Sequence, residues 1–251
     1  MKMKSLNLMT MILMMNDAVV ITAAGSSQRF GEKKEYLSFD TDTHISVLSQ
    51  CVYVFVQTGL FAHMVITIPK GDRDKVFALL TADERIMPLT ASVSLSIIEG
   101  GATRQASVRL GLEKLAAVMS NDSYVLIHDG ARPWVSHDVI RAVLTGAKKY
   151  GAAIPVIPVT DTQKEVDADG KIIHHLKRKQ LVAAQTPQAF LFYNLLAAHH
   201  CAQESGETYT DDSEIYAAYC APVYTCQGMR SNKKITYPED MADIPHHEKR
   251  G

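Results

Sequence analysis

Several features that mark specialised proteins are scarce in this chain. Cysteine is one: Cys51, Cys201, Cys220 and Cys226 are four in 251 residues, and none forms a CxxC pair. Such spacing excludes a thiolate metal cage and falls far below the density of a secreted disulfide scaffold, so reduced thiols in a cytoplasmic protein are expected. An excess of charge of one sign is also missing, because 26 Lys and Arg stand against 27 Asp and Glu, for a formal net charge of −1. Phosphate neutralisation supplies most nonspecific nucleic-acid affinity, and no basic block restores it locally, so no nucleic-acid partner is expected. No apolar run approaches the roughly 18 to 20 residues that span a bilayer. The Met-rich start carries Lys2 and Lys4 but is broken by Asn7 and Thr10 and has no small-residue cleavage site. Residues 1–17 are therefore read as an N-terminal extension rather than a signal peptide, and no membrane partner is expected.

What remains is an ordinary globular balance, 47% hydrophobic and 21% charged, with enough chain for a sizeable core. Ala18 to Ala23 is a short β-branched run that ends in a glycine loop, as a buried parallel strand does. A second such run covers His63 to Ile68. Between them Val47, Leu48, Cys51, Val54 and Phe55 recur at helical spacing, so Ser46 to Thr58 reads as a crossover helix. The alternation continues with helices near Asp72 to Leu80, Arg104 to Val118 and Ser136 to Lys149. Strands are expected at Val93 to Ile98, Tyr124 to Ile127 and Ala152 to Ile157. This order predicts an α/β fold with a mostly parallel sheet and helices on both faces. Residues 158–186 alternate charged and apolar side chains around the turn Asp167-Ala168-Asp169-Gly170, which reads as a projecting β-arm packed on a partner subunit. Helices at Gln188 to Glu204 and Asp211 to Ala218 and a strand at Val223 to Cys226 complete one domain, residues 18–245. There is no internal repeat.

Three strand-end loops carry chemistry. In AAGSSQRFGEKKEYL, Gly25 and Gly31 bracket a loop with Arg29, followed by Lys33 and Lys34, a combination suited to polyphosphate. Five residues between the glycines and Glu32 after them do not fit a Walker A loop, and the absence of GxGxxG argues against a dinucleotide fingerprint. In EGGATRQASVRLGL, paired glycines at a strand end leave room for a flat base, although Thr103 is equally a helix cap. In VLIHDGARPWV, Asp129 follows a buried strand and suits Mg²⁺ on a triphosphate; alone it would read as a turn aspartate. All three lie on the edge where open α/β sheets bind ligands.

These segments, with PVTDT, QTPQAF, YTDDSE and NKKITYPED in the same order, resemble the 2-C-methyl-D-erythritol 4-phosphate cytidylyltransferases across nearly the whole chain. The resemblance implies a Rossmann-like nucleotidyltransferase fold, a homodimer formed through the β-arm, Mg²⁺ as cofactor, and formation of CDP-methylerythritol and pyrophosphate from CTP and the sugar phosphate 2-C-methyl-D-erythritol 4-phosphate. It implies that Arg29, Lys34 and Lys234 stabilise charge at the α-phosphorus, with Lys33 a rival for the place of Lys34. Ala23, Ala24, Gly25, Gly101, Arg104 and Ser107 would contact CTP. Arg132, Thr162, Arg178, Thr186 and Thr210 would bind the second substrate, and Asp129 would take the metal. Ser27 stands where many members have glycine, Lys33-Lys34-Glu35 replaces Pro-Lys-Gln, and Gly130 stands where alanine is usual.

The attacking group would be a phosphomonoester oxygen, largely dianionic at neutral pH, so no general base is needed. The histidine pairs His174-His175, His199-His200 and His246-His247 are accordingly read as surface or arm residues without metal spacing. His128 reads as structural, Tyr53, Phe55, Phe190 and Phe192 as packing, and Trp134 as a wall of the substrate pocket. Two other readings share these loops: a ribitol-5-phosphate cytidylyltransferase, and a nucleotide-binding regulator without catalysis.

Overall fold

In a computed structural model, the structure describes residues 16–25, 27, 30–38 and 44–243. The first half is built as anticipated: β1 (Ala18–Thr22), α1 (Val47–Gln57), β2 (His63–Ile68), α2 (Arg73–Ala82), β3 (Ser94–Glu99), α3 (Arg104–Leu115), β4 (Tyr124–Asp129) and α4 (His137–Tyr150). Beyond it come β5 (Ala152–Pro158), β6 (Lys164–Val166), β7 (Ile172–His175), β8 (Val182–Ala184), β9 (Gln188–Leu191), α5 (Phe192–Ser205), α6 (Asp212–Tyr219) and β10 (Tyr224–Gln227).

The main sheet runs β3-β2-β1-β4-β9-β5-β10, with β8 beside β5. β1 is parallel to both β2 and β4, β2 to β3, and β5 to β10. Alternation along β1 explains how both faces are covered. Val19 and Ile21 pack with Leu48, Phe55, Ile140 and Val143 from α1 and α4, whereas Ala18 and Val20 pack with Val108, Leu112, Phe192 and Leu195 from α3 and α5. Val19, Val20 and Ile21 are 0% exposed, and burial worth roughly 1.5–3 kcal/mol per such side chain outweighs any strand propensity. Helix starts are set by caps: Ser46 and Ser49 form a reciprocal capping box on α1, and Thr103, Ser136 and Asp211 cap α3, α4 and α6.

One expected element is corrected. The segment from Gln188 is not helical throughout: Gln188–Leu191 is β9, antiparallel to both β4 and β5, and the helix begins at Phe192. The run QAFLFYNLL carries a helical spacing that extends across the true boundary, and four residues are too short for a period to decide between strand and helix. The arm is present as the antiparallel pair β6–β7, outside the main sheet. Its turn is closed by Asp167, whose Oδ1 accepts from the backbone N–H groups of Asp169 and Lys171.

Candidate active site

Because β3, β2, β1 and β4 are sequential neighbours, the loops after β1, β3 and β4 open on one sheet edge. There they enclose a cavity of about 560 Å³ lined by residues from all three and from the chain's last segment. That volume lies within the usual range for small-molecule sites. Of the residues singled out from sequence, Ala24, Gly25, Lys34, Gly101, Arg104, Ser107, Asp129 and Lys234 line it. Phe30, Glu35, Thr103 and Thr236, not singled out as ligand contacts, line it too.

Asp129 is the electrostatic centre. One oxygen accepts from Arg104 Nε at 3.1 Å, the other from Lys234 Nζ at 2.8 Å, and Arg132 Nε lies 3.6 Å away. Burial disfavours its charged form, yet Arg104, Lys234 and Arg132 together hold its carboxyl well below the ordinary carboxylate range. A single carboxylate so placed would be untenable, since desolvation costs several kcal/mol per ion. Close opposite charges return about 4 kcal/mol each at an effective dielectric near 20. The excess of cations over carboxylates around Asp129 leaves this edge positive.

Local backbone geometry places the other contacts. Thr103 accepts from the Ala106 N–H, so it is the helix cap, and Ser107 Oγ accepts from the Gly101 N–H and donates to the Thr103 carbonyl. A Cβ at Gly100 would lie 2.4 Å from Ala24 Cβ and 2.7 Å from Ser107 Oγ, so only glycine allows the β1 and β3 loops to approach this closely. Ser27 has φ 51°, a left-handed conformation that costs a side-chain-bearing residue. Its hydroxyl donates to Glu35 Oε2 at 3.1 Å. Lys33 donates to the Gly25 carbonyl and lies 3.6 Å from Glu35. Thus Lys34 faces the cavity while its neighbour Lys33 braces the loop. Arg29 lies outside the described residues.

Lys234 reaches Asp129 across 105 residues of sequence because the last segment is bolted down. Gln185 Nε2 donates to the Met229 and Asn232 carbonyls, and Asn232 Nδ2 donates to the Thr186 carbonyl. Arg132 Nη1 also donates to the Asn232 carbonyl, and the Ile235 N–H donates to the Ala131 carbonyl. Gln185 and Asn232 are buried amides to which the sequence reasoning gave no role; each opens a quoted motif, QTPQAF and NKKIT, which is the one available signal.

The remaining candidates sit elsewhere. Arg132 is turned into this bracing network and does not line the cavity. Ala23 is buried and donates its N–H to the Thr67 carbonyl. Thr186 is buried, and its Oγ1 accepts from the Asp129 N–H and lies 3.2 Å from His128 Nδ1. His128 Nε2 is 3.1 Å from the Arg132 carbonyl, which can only accept, so Nε2 carries the proton and Thr186 donates to Nδ1. Burial lowers the His128 pKa to about 3. Thr162 and Arg178 are exposed on the arm, with Arg178 Nη1 donating to the Thr160 carbonyl. Thr210 is exposed and donates to Glu214. Two side-chain expectations are corrected. Trp134 packs with Phe30, Val47 and Ile235 instead of walling the cavity, because that apolar cluster takes up its ring. His199 is buried rather than superficial, since α5 packs against α6 and its Nε2 lies 3.1 Å from Asp212 Oδ1. His246 and His247 lie outside the described residues.

The sequence model of the family described as "IspD: 2-C-methyl-D-erythritol 4-phosphate cytidylyltransferase" matches residues 18–245. The chain belongs to this family. The 2-C-methyl-D-erythritol 4-phosphate cytidylyltransferase of Bacillus cereus is 35% identical over 223 residues, 89% of this chain and 93% of that protein. The bifunctional enzyme IspD/IspF of Rhodopseudomonas palustris (strain HaA2) is 49% identical over 146 residues, which are 58% of this chain but only 36% of the longer protein. Among solved structures, the 2-C-methyl-D-erythritol 4-phosphate cytidylyltransferase of Thermus thermophilus superposes with a TM-score of 0.69 at 31% identity, covering 92% of this chain and 97% of that one. The cavity carries Lys34, Arg104 and Lys234 on its walls.

Proposed function

We propose that this chain transfers the cytidylyl group of CTP to 2-C-methyl-D-erythritol 4-phosphate, giving CDP-methylerythritol and pyrophosphate in isoprenoid precursor synthesis. The observation that carries this reading is the convergence of Lys34, Arg104, Asp129 and Lys234 on one cavity at the ends of β1, β3 and β4.

The chemistry asks little beyond placement. The acceptor's phosphate is mostly dianionic at neutral pH and attacks the α-phosphorus without a general base. The obstacle is the approach of two anions in line with the departing pyrophosphate. Lys34 and Lys234 are preorganised cations on that path, and their charge is worth more in a partly dry cavity than in water. Gly101 and Ser107 line the part of the cavity beside α3, where backbone groups can read a base edge, and Arg104 holds the nucleotide from the same helix.

Mg²⁺ fits the donor set in a limited way. No group of three His, Cys, Asp or Glu among the described residues forms a protein cage. Asp129 accepts hydrogen bonds from Arg104 and Lys234, with Arg132 Nε 3.6 Å away and not hydrogen-bonded, which leaves about two of its four lone-pair positions for a metal. That suits an ion held mainly by phosphate oxygens plus one carboxylate, with Asp129 as the holder. When bound, the ion would neutralise part of the triphosphate charge.

The arm is the proposed dimer contact. Val166, Ile172, Ile173 and Leu176 are exposed on it, more apolar surface than a lone hairpin usually shows to water. Thr162 and Arg178 would reach a neighbour's cavity to hold the sugar phosphate. No described helix is long and apolar enough to cross a membrane, and the free thiols suit the cytoplasm as the proposed location. Purified protein with Mg²⁺ and CTP is expected to release pyrophosphate on addition of methylerythritol phosphate. Release with ribitol phosphate alone would transfer the assignment to that acceptor, and release with neither would leave a nucleotide-binding regulator.

A further inference from the structure

Arg104 is held between two carboxylates on different elements. Its Nε donates to Asp129 on β4, and its Nη2 lies 2.8 Å from Asp212 on α6. A guanidinium with one partner can rotate about a flexible stem, whereas two carboxylates along its Nε–Nη2 edge fix the plane of the fork. Nη1 makes no hydrogen bond among the described residues, and the residue lines the cavity.

Asp212 is buried more deeply than Asp129. Its side chain is 0% exposed, and of its two oxygens one faces Arg104 and the other His199 Nε2 at 3.1 Å. Burial opposes its ionisation, but Arg104 and the His199 hydrogen bond together hold its carboxyl below the usual range. His199 is itself fully buried, and its Nε2 must carry the proton to donate to a carboxylate. Nothing else among the described residues donates to that oxygen, so without His199 the Oδ1 of a buried carboxylate would have no donor and only Oδ2 would face a cation.

We propose that His199 is a positioning residue for nucleotide binding: by donating to Asp212 it fixes the carboxylate that orients Arg104 in the cavity. This rests on the reading of that cavity as the CTP site. His199 does not line the cavity itself; it acts through Asp212, on a helix one element removed from the loops that line the site.

The test compares His199→Leu, which keeps an apolar side chain of similar bulk but removes the donor, with His199→Gln, whose amide nitrogen reaches the place of Nε2. In His199→Leu the KM for CTP, and the Kd for CTP by calorimetry without acceptor, are expected to rise about tenfold, a loss typical of one buried hydrogen bond to a charged group. kcat and the KM for the sugar phosphate are expected to change less than about twofold. His199→Gln is expected to recover most of the CTP affinity. Asp212→Asn should weaken CTP binding similarly, and His199→Leu should add little in that background, because the effect passes through Asp212. A His199→Leu protein that melts earlier with CTP affinity unchanged would show a packing role and overturn the proposal. So would equal losses in the Leu and Gln variants, or full additivity with Asp212→Asn. If the wild-type chain binds CTP but does not turn over the sugar phosphate, the acceptor reading fails alone and calorimetry still decides the role of His199. If it binds no CTP, both fall.

Discussion

The hydrogen bonds behind Asp129 all run in one direction. The Asp129 N–H donates to Thr186, Thr186 donates to His128, and His128 donates to the Arg132 carbonyl. Burial away from water, with smaller repulsion from Arg132 and Lys234, disfavours the imidazolium and lowers the His128 pKa from 6.5 to about 3; protonating Nδ1 would also place a donor where Thr186 already donates. The unfolded imidazole takes up a proton below about pH 6.5 while the folded one does not. The unfolded state therefore binds more protons, and stability falls as pH drops through this window by up to about 1.4 kcal/mol per pH unit. Urea titrations from pH 7 to 4.5 are expected to show that slope and His128→Asn to flatten it; an unaltered slope in the variant would refute the role. Asp129 has the same sign but contributes only below about pH 4, where an unfolded aspartate begins to protonate. The cavity's cations were legible in the sequence because Lys34, Arg104 and Lys234 sit in distinctive motifs. His199 was not, because a lone polar residue on a largely apolar helix reads the same whether it meets water or a buried partner; Gln185 and Asn232 stand in quoted motifs, but nothing in their spacing shows that they meet across the chain.

At the scale of elements, the parallel strands could be read because covering both faces of a sheet demands uninterrupted β-branched runs such as Val19-Val20-Ile21. β9 escaped notice because it is four residues long and flows directly into α5. Yet β9 matters to the site: Gln188 at its start donates to Asp211 and accepts from the Ser213 N–H, fixing the entrance to the helix that carries Asp212. The junction of β3 and α3 makes a second demand. Gly100→Ala would push a methyl group to 2.4 Å from Ala24, displacing the β1 loop or opening the gap between the two loops. We expect a rise of about tenfold in the KM for CTP with a stability loss of about 1–3 kcal/mol. Kinetics and thermal melting check this together; an unchanged KM would mean that the loops adapt without consequence for the nucleotide.

For the whole molecule, the central question is whether one chain suffices. Arg178 and Thr162 line no part of their own chain's cavity, and the arm that carries them exposes Ile172 and Ile173. Sedimentation should show a dimer for the native chain and a monomer for the double variant Ile172→Lys, Ile173→Lys. Arg178→Ala should leave the dimer intact and raise the KM for the sugar phosphate far above any change for CTP. A monomeric native chain, or equal effects on both substrates, would remove the arm from the proposed site. Near-neutral net charge is silent about the cavity, because the cancellation of 26 cations by 27 anions is global and the clustering around Asp129 is local. The bolted last segment has a consequence in time. Lys234 is brought to Asp129 by contacts of Gln185 and Asn232, so a chain emerging from the ribosome exposes Arg104 and Asp129 long before their third partner is made. Because Lys234 lies 105 residues beyond Asp129, the charge balance at the centre closes only once that segment has emerged.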